Sequence, residues 1–168
     1  MARQPNRHER RVQNSPSTIL VAGGISPDRT IALEILLREA AERHGWSDRL
    51  TFRIGGLGPA AGRITDAGLA ALRGRGIEAA GKFCPDLERR TDLLERCDFI
   101  VCDCAEVADA LVDWDQAASA QFVCLDDLAA TDAEEDRPKL SLAEDVAEIE
   151  ELVPEVLRRI VARAPAET

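Results

Sequence analysis

The run Thr18-Ile-Leu-Val-Ala22 carries no charge and reads as a strand buried on both faces. From Thr30 to His44 the apolar positions change period. Leu33, Leu36, Leu37, Ala40 and Ala41 fall on one face at helical spacing, and Gly45 stops the helix. Leu50–Ile54 alternates, with Leu50, Phe52 and Ile54 on one side, and predicts a second strand. Gly55 to Gly62 is rich in glycine and holds Pro59, so it predicts a loop. Thr65–Asp66 can cap a short helix through Leu69 and Leu72 that ends at Gly74 or Gly76. Pro85 and Asp86 open a predicted helix carrying Leu87, Leu93 and Leu94. Asp98–Cys102 predicts a buried strand, Val107–Leu111 a short helix, and Gln121–Leu125 a fourth strand. Ser141 caps the last helix, with Glu144 as its capping-box partner. Leu142, Val146, Ile149, Val153, Val156, Leu157 and Ile160 form its apolar stripe, which Pro154 is expected to kink or split.

Strands that alternate with helices imply an α/β fold, a parallel sheet covered on both faces. Ligands of such folds bind beyond the carboxyl ends of the strands. The loop after the first strand, the Gly55–Gly62 loop, Asp103 and the acidic loop 126–139 can meet there. The 168-residue length suits one domain. Its expected extent is 18–164, between tails at 1–17 and 165–168.

Composition narrows the function. The chain is 45% hydrophobic but only 4% aromatic, so aliphatic side chains must fill the core. The net charge of −10 argues against a free nucleic-acid binder, whose affinity rests on phosphate contacts. Residues 1–17 run against that charge, with Arg3, Arg7, Arg10 and Arg11 opposed by Glu9 alone. So polar a segment buries too little surface to offset its ordering entropy, and a disordered basic tail is expected. The alternative is a basic arm that touches an acidic partner or the acidic body of the chain. No signal-peptide core or run of about 18 apolar residues is present, which predicts a cytoplasmic protein that does not cross a membrane. Five cysteines, an odd count, predict free thiols in that setting.

The candidate chemistry lies between the first strand and its helix. Gly23-Gly-Ile-Ser-Pro-Asp-Arg-Thr30 has the build of an anion-binding loop: glycines that let backbone approach a ligand, then an Arg and a hydroxyl at a helix N-terminus. No Cys or His lies in it. Ser26 and Asp28 have no activating base nearby in the sequence, so neither reads as a nucleophile. Pro27 lacks an N–H that could join the cradle. Asp28 either points into the loop, repelling a phosphate or pairing with Arg29, or faces outward and favours the helix N-terminus. Cys102-Asp-Cys104 places two thiols on one strand face. With only His8 and His44 elsewhere, these read as buried thiols rather than a metal or redox pair. The acidic loop lacks an EF-hand pattern and reads as solvated. No metal or cofactor is expected.

The order of these elements resembles the low-molecular-weight protein tyrosine phosphatases from about Thr18 to Val161. Four stretches carry the likeness: Ile19 to Thr30, Phe52-Arg-Ile-Gly-Gly-Leu-Gly58, Asp66–Gly81 and Asp98-Phe-Ile-Val-Cys-Asp103. The resemblance implies a flavodoxin-like three-layer sandwich with a four-stranded parallel sheet and helices on both faces. In that family a loop Cys attacks phosphorus, an Arg after five intervening residues holds the phosphoryl oxygens, a hydroxyl follows it, and a late Asp protonates the leaving group. Arg29 and Thr30 match the Arg and the hydroxyl. The nucleophile position falls on Gly23, or on Ala22 if the loop is one residue longer, and neither can attack. Asp136, in Asp136-Arg-Pro138 rather than the family's Asp-Pro, stands as a remnant of the acid. Asp103 matches a family Asp at a strand end. The resemblance therefore implies a pseudophosphatase acting as a binding or regulatory module. Gly23, Gly24, Ser26, Arg29 and Thr30 would be its anion-binding residues, Asp103 would line the cleft, and a phosphate-like anion or a protein surface would be the partner. The alternatives are an enzyme with weak phosphatase or different chemistry in the same cleft, and a structural subunit with a vestigial site.

Overall fold

The computed structural model describes residues 15–128 and 141–164. Its main sheet is built from β1 (Ser17–Gly23), β2 (Leu50–Gly56), β5 (Phe99–Cys102) and β6 (Gln121–Cys124). All neighbours are parallel, in the order β2-β1-β5-β6. Among the described residues, four α-helices accompany it: α1 (Pro27–Arg43), α2 (Asp66–Arg73), α3 (Ala105–Val112) and α4 (Leu142–Arg163). Alternate residues of the central strand β1 serve opposite faces. Ile19 and Val21 join α1 and α4 in one core, while Leu20 and Ala22 meet Val107 and Leu111 of α3 in the other. The sheet is thus covered on both sides, as expected.

The elements differ from the sequence expectation where a local contact outweighs periodicity. Helix α1 starts three residues before Thr30, because Ser26 caps it and Pro27 fits N1, where a missing N–H costs nothing. It is buried well beyond one stripe, Ile31, Ala32 and Ile35 included, since it lies between the sheet and α4. The helix expected from Pro85 does not form. Gly56 N–H donates to Pro85 O (2.8 Å) and Leu87 N–H to Gly56 O (3.0 Å), which holds Asp86 as an extended extra rung beside β2. Only a 3-10 turn follows, at Thr91–Leu94. Arg53 of β2 ties its end by donating to the carbonyls of Leu93 (3.2 Å) and Glu95 (2.9 Å).

Within the expected Gly55–Gly62 loop, β2 continues to Gly56 and a 3-10 turn covers Gly58–Ala60. A two-residue antiparallel ribbon, β3 (Gly62–Arg63) with β4 (Phe83–Cys84), was not anticipated. Pro154 does not split α4, which runs unbroken over 22 residues. Residue 154 is on the exposed side, so the carbonyl left without its N–H partner can turn to water. The capping box of Ser141 and Glu144 forms as expected. Among the described residues, no helix is long and apolar enough to cross a membrane.

Candidate functional site

The strand order reverses direction at β1, so the loops after β1 and β5 flank a crevice at the carboxyl edge of the sheet. Leu57 N–H donates to Gly23 O (2.9 Å), and Asp103 N–H donates to Ala22 O (3.1 Å). These bonds bring the ends of β1, β2 and β5 to one place. Asp126, from the start of the acidic loop, accepts from Ala105 N–H at 2.7 Å and caps α3 on the same edge. Asp136, the expected remnant acid, lies outside the described residues, as do 1–14 of the N-terminal tail and the tail 165–168.

Gly23 closes β1, at the position the resemblance assigns to a nucleophile. A Cβ built there would lie 1.7 Å from Thr30 Oγ1 and 2.8 Å from Thr30 Cβ. Thr30 is fully buried, and its hydroxyl donates to Ser26 O (3.0 Å). The space beside Gly23 is thus filled by a side chain fixed through its own hydrogen bond. Gly24 is confined too, since a Cβ on it would meet Val107 Cγ2 at 2.4 Å. Ser26 spends its side chain as the cap of α1, its Oγ accepting from Arg29 N–H (3.2 Å).

Arg29 is 8% exposed and sits in the first turn of α1. Its Nη1 donates to Asp145 Oδ1 of α4 at 2.8 Å, and its Nε faces Asp103 Oδ2 at 3.9 Å. That gap is too long for a hydrogen bond. Among the described residues, both of these buried atoms are left without a hydrogen-bond partner. Asp103 is fully buried, and its Oδ1 accepts from Gly24 N–H (3.1 Å). The loop's arginine and one of its backbone donors therefore face carboxylates supplied by the chain itself. Burial raises the Asp103 carboxyl above its ordinary pKa, against the pull of a Cys104 hydrogen bond, Arg29 and Gly24 N–H. Burial likewise raises Asp145, with Arg29 pulling the other way.

Asp28 follows neither the inward nor the simple outward expectation. It is buried and turns toward α2, accepting from Thr65 N–H (2.7 Å) and from the Thr65 hydroxyl. Thr65 in turn caps α2 by accepting from Gly68 N–H (3.1 Å). Gly68 leaves room for the pair, since a Cβ there would lie 2.6 Å from the Asp28 carboxylate. Asp28 thus docks α2 against the loop, and Arg29 takes its counter-charge from α4.

Sequence reasoning singled out Gly23, Gly24, Ser26, Arg29, Thr30 and Asp103 as candidates, and the structure brings all six together. It missed Asp145. A signal was present: Asp145 stands four residues before Ile149 and extends the apolar stripe of α4 toward the N-terminus. An acid on a core-facing stripe calls for a partner. It also missed Thr65 as the partner of Asp28.

All five cysteines are free and buried. Burial pushes Cys84 and Cys104 up to about 12 and raises Cys97, Cys102 and Cys124 as well. Thiolate, the reactive form, is therefore scarce at neutral pH.

A four-stranded parallel sheet in the order β2-β1-β5-β6 with helices on both faces defines a flavodoxin-like fold. Solved structures place it more closely: it is the fold of the low-molecular-weight protein tyrosine phosphatases. The enzyme from T. tengcongensis superposes with a TM-score of 0.68 at 12% identity, over 85% of this chain and 99% of that one. The low-molecular-weight phosphotyrosine phosphatase of Vibrio cholerae O395 gives 0.67 at 16% identity, over 89% and 99%. A low-molecular-weight protein tyrosine phosphatase from Bacillus subtilis gives 0.62 at 17% identity, over 88% and 99%. No protein-family model matches the sequence. No curated protein matches it by sequence.

Proposed function

We propose that this chain is a pseudophosphatase, a non-catalytic protein on the low-molecular-weight phosphatase fold that works as a binding or regulatory module. The observation that carries this reading is the state of the nucleophile position. Gly23 has no side chain there, and buried Thr30 fills the space one would need. A covalent phosphoryl route needs an activated nucleophile within reach of the loop donors. Ser26 is engaged as a helix cap, and the thiols are buried, which raises each of them above its ordinary pKa. What the loop keeps is the machinery of anion recognition: a helix N-terminus, Gly24 and Arg29. Its ligand is accordingly a phosphate-like anion or a partner surface that presents one.

Turnover of an aryl phosphate tests the reading. No hydrolysis above buffer is expected of the wild-type chain or of Arg29→Ala. Hydrolysis that co-purifies with the chain and falls with Arg29→Ala would overturn it in favour of an enzyme using another nucleophile in the same cleft.

A further inference from the structure

Arg29 is buried, and a buried guanidinium needs a counter-charge. In an anion-loaded loop the ligand supplies part of it. Here Asp145 supplies it from another element, at 2.8 Å from Nη1. The two carboxylates around Arg29 are held differently. Asp103 is fully enclosed and is fixed by Gly24 N–H and by its place at the end of β5. The Asp145 side chain is 24% exposed and sits at the rim, in the first turns of α4. Glu144 and Glu148 lie beside it on α4, and each carboxylate raises the cost of its charge. Asp126 faces Asp103 from the loop after β6, while Asp28 is turned away to Thr65.

Two observations point to an unfilled role at this place. The Nε of Arg29, on a side chain nine-tenths buried, has no hydrogen-bond acceptor among the described residues. The N–H groups of Ile25 and Ser26, in the turn between β1 and α1, also have no acceptor among the described residues.

We propose that Asp145 is a built-in competitor for a tetrahedral oxyanion at Arg29, an autoinhibitory contact that keeps the loop closed until the carboxylate swings outward. This rests on residues 23–30 being a retained anion loop. Asp145 and an incoming anion bid for the same guanidinium, and the carboxylate also repels the anion. Its removal therefore strengthens anion binding, on the order of tenfold or more for the loss of one like charge this close.

Titration with inorganic sulfate and phosphate tests this, with sodium chloride as the ionic-strength control. Binding is read from the amide shifts of Gly24, Ile25 and Ser26 and from the thermal midpoint. Asp145→Ala is expected to bind sulfate at least about tenfold more tightly than wild type. Asp145→Asn keeps the shape without the charge, and so guards against a folding defect in the alanine variant. It is expected to show a gain in the same direction. Arg29→Ala combined with Asp145→Ala is expected to lose binding. Equal affinity in wild type and both Asp145 variants would overturn the competitor role while leaving the anion loop standing. No binding in any variant would overturn both.

Discussion

Gly23→Ala places one methyl group where the structure has no room for it. The new Cβ would lie 1.7 Å from Thr30 Oγ1, half the ordinary contact distance of 3.4 Å, and within 3 Å of Thr30 Cβ and Cγ2. Gly23 does not hold a positive φ, so the cost is packing rather than backbone strain. Thr30 must rotate or α1 must shift. Rotation gives up the bond to Ser26 O, worth about 1 kcal/mol net, and can leave a buried hydroxyl unpaired at about 1–3 kcal/mol. Overpacking of a tight core costs about 1–3 kcal/mol by itself. The expected loss of stability is about 2–4 kcal/mol, read as a fall in the urea midpoint at unchanged slope. Thr30→Ala in the same chain removes the two nearest branch atoms but leaves Cβ in place, so it should recover part of that loss and show non-additivity. A loss under about 0.5 kcal/mol, the range of an ordinary surface change, would refute the claim that Thr30 fills the space beside Gly23. Gly23→Cys would then be a direct test of whether the loop can carry a reactive thiol.

Two further outcomes follow from burial around the site. The five thiols should be unreactive toward a disulfide reagent in the native protein and all titrate in denaturant, since burial raises every one of them; one fast-reacting native thiol would contradict the inert reading. The raised Asp103 carboxyl holds its proton more tightly in the folded state than in the unfolded chain. Its contribution to stability is therefore full below the ordinary value of 3.8 and is lost as pH rises through the raised one. Wild type should lose stability relative to Asp103→Asn across that interval, measured as the difference in thermal midpoints; a difference constant with pH would contradict it.

The layers of the fold were legible because burial on both faces leaves a plain mark. Ile19–Ala22 and Phe99–Cys102 are apolar without a break, and each became part of a strand of the parallel sheet. Long-range backbone bonds leave no such mark. Nothing in Pro85-Asp-Leu87 announces that Gly56 will draw it into an extended rung, and its leucine spacing suits a helix equally well. The site divides in the same way. Gly23 to Thr30 could be read because the loop is contiguous and its residue types are few. Asp145 could not be placed, since its partner lies 116 positions away and only the meeting of α1 with α4 joins them.

On the proposed reading, the closed space at Gly23 and the internal carboxylates are linked through the charge on Arg29. Arg29 is buried next to a helix N-terminus, so two positive features share one poorly solvated place. With a ligand bound, that charge is balanced from outside. Without one, the balance has to come from the chain, or the folded state carries the full cost of an uncompensated buried ion. Asp103 alone serves poorly, because it is already committed to Gly24 N–H and stands 3.9 Å from Nε. Asp145 completes the balance with a true hydrogen bond from the opposite side. An enzyme that must admit a phosphate dianion at every turnover gains nothing from such a carboxylate, since its charge opposes each binding event. A protein that seldom binds, or binds only when a partner moves α4, gains stability in the free state. The position of Asp145 therefore argues in the same direction as the closed space at Gly23, and on independent grounds.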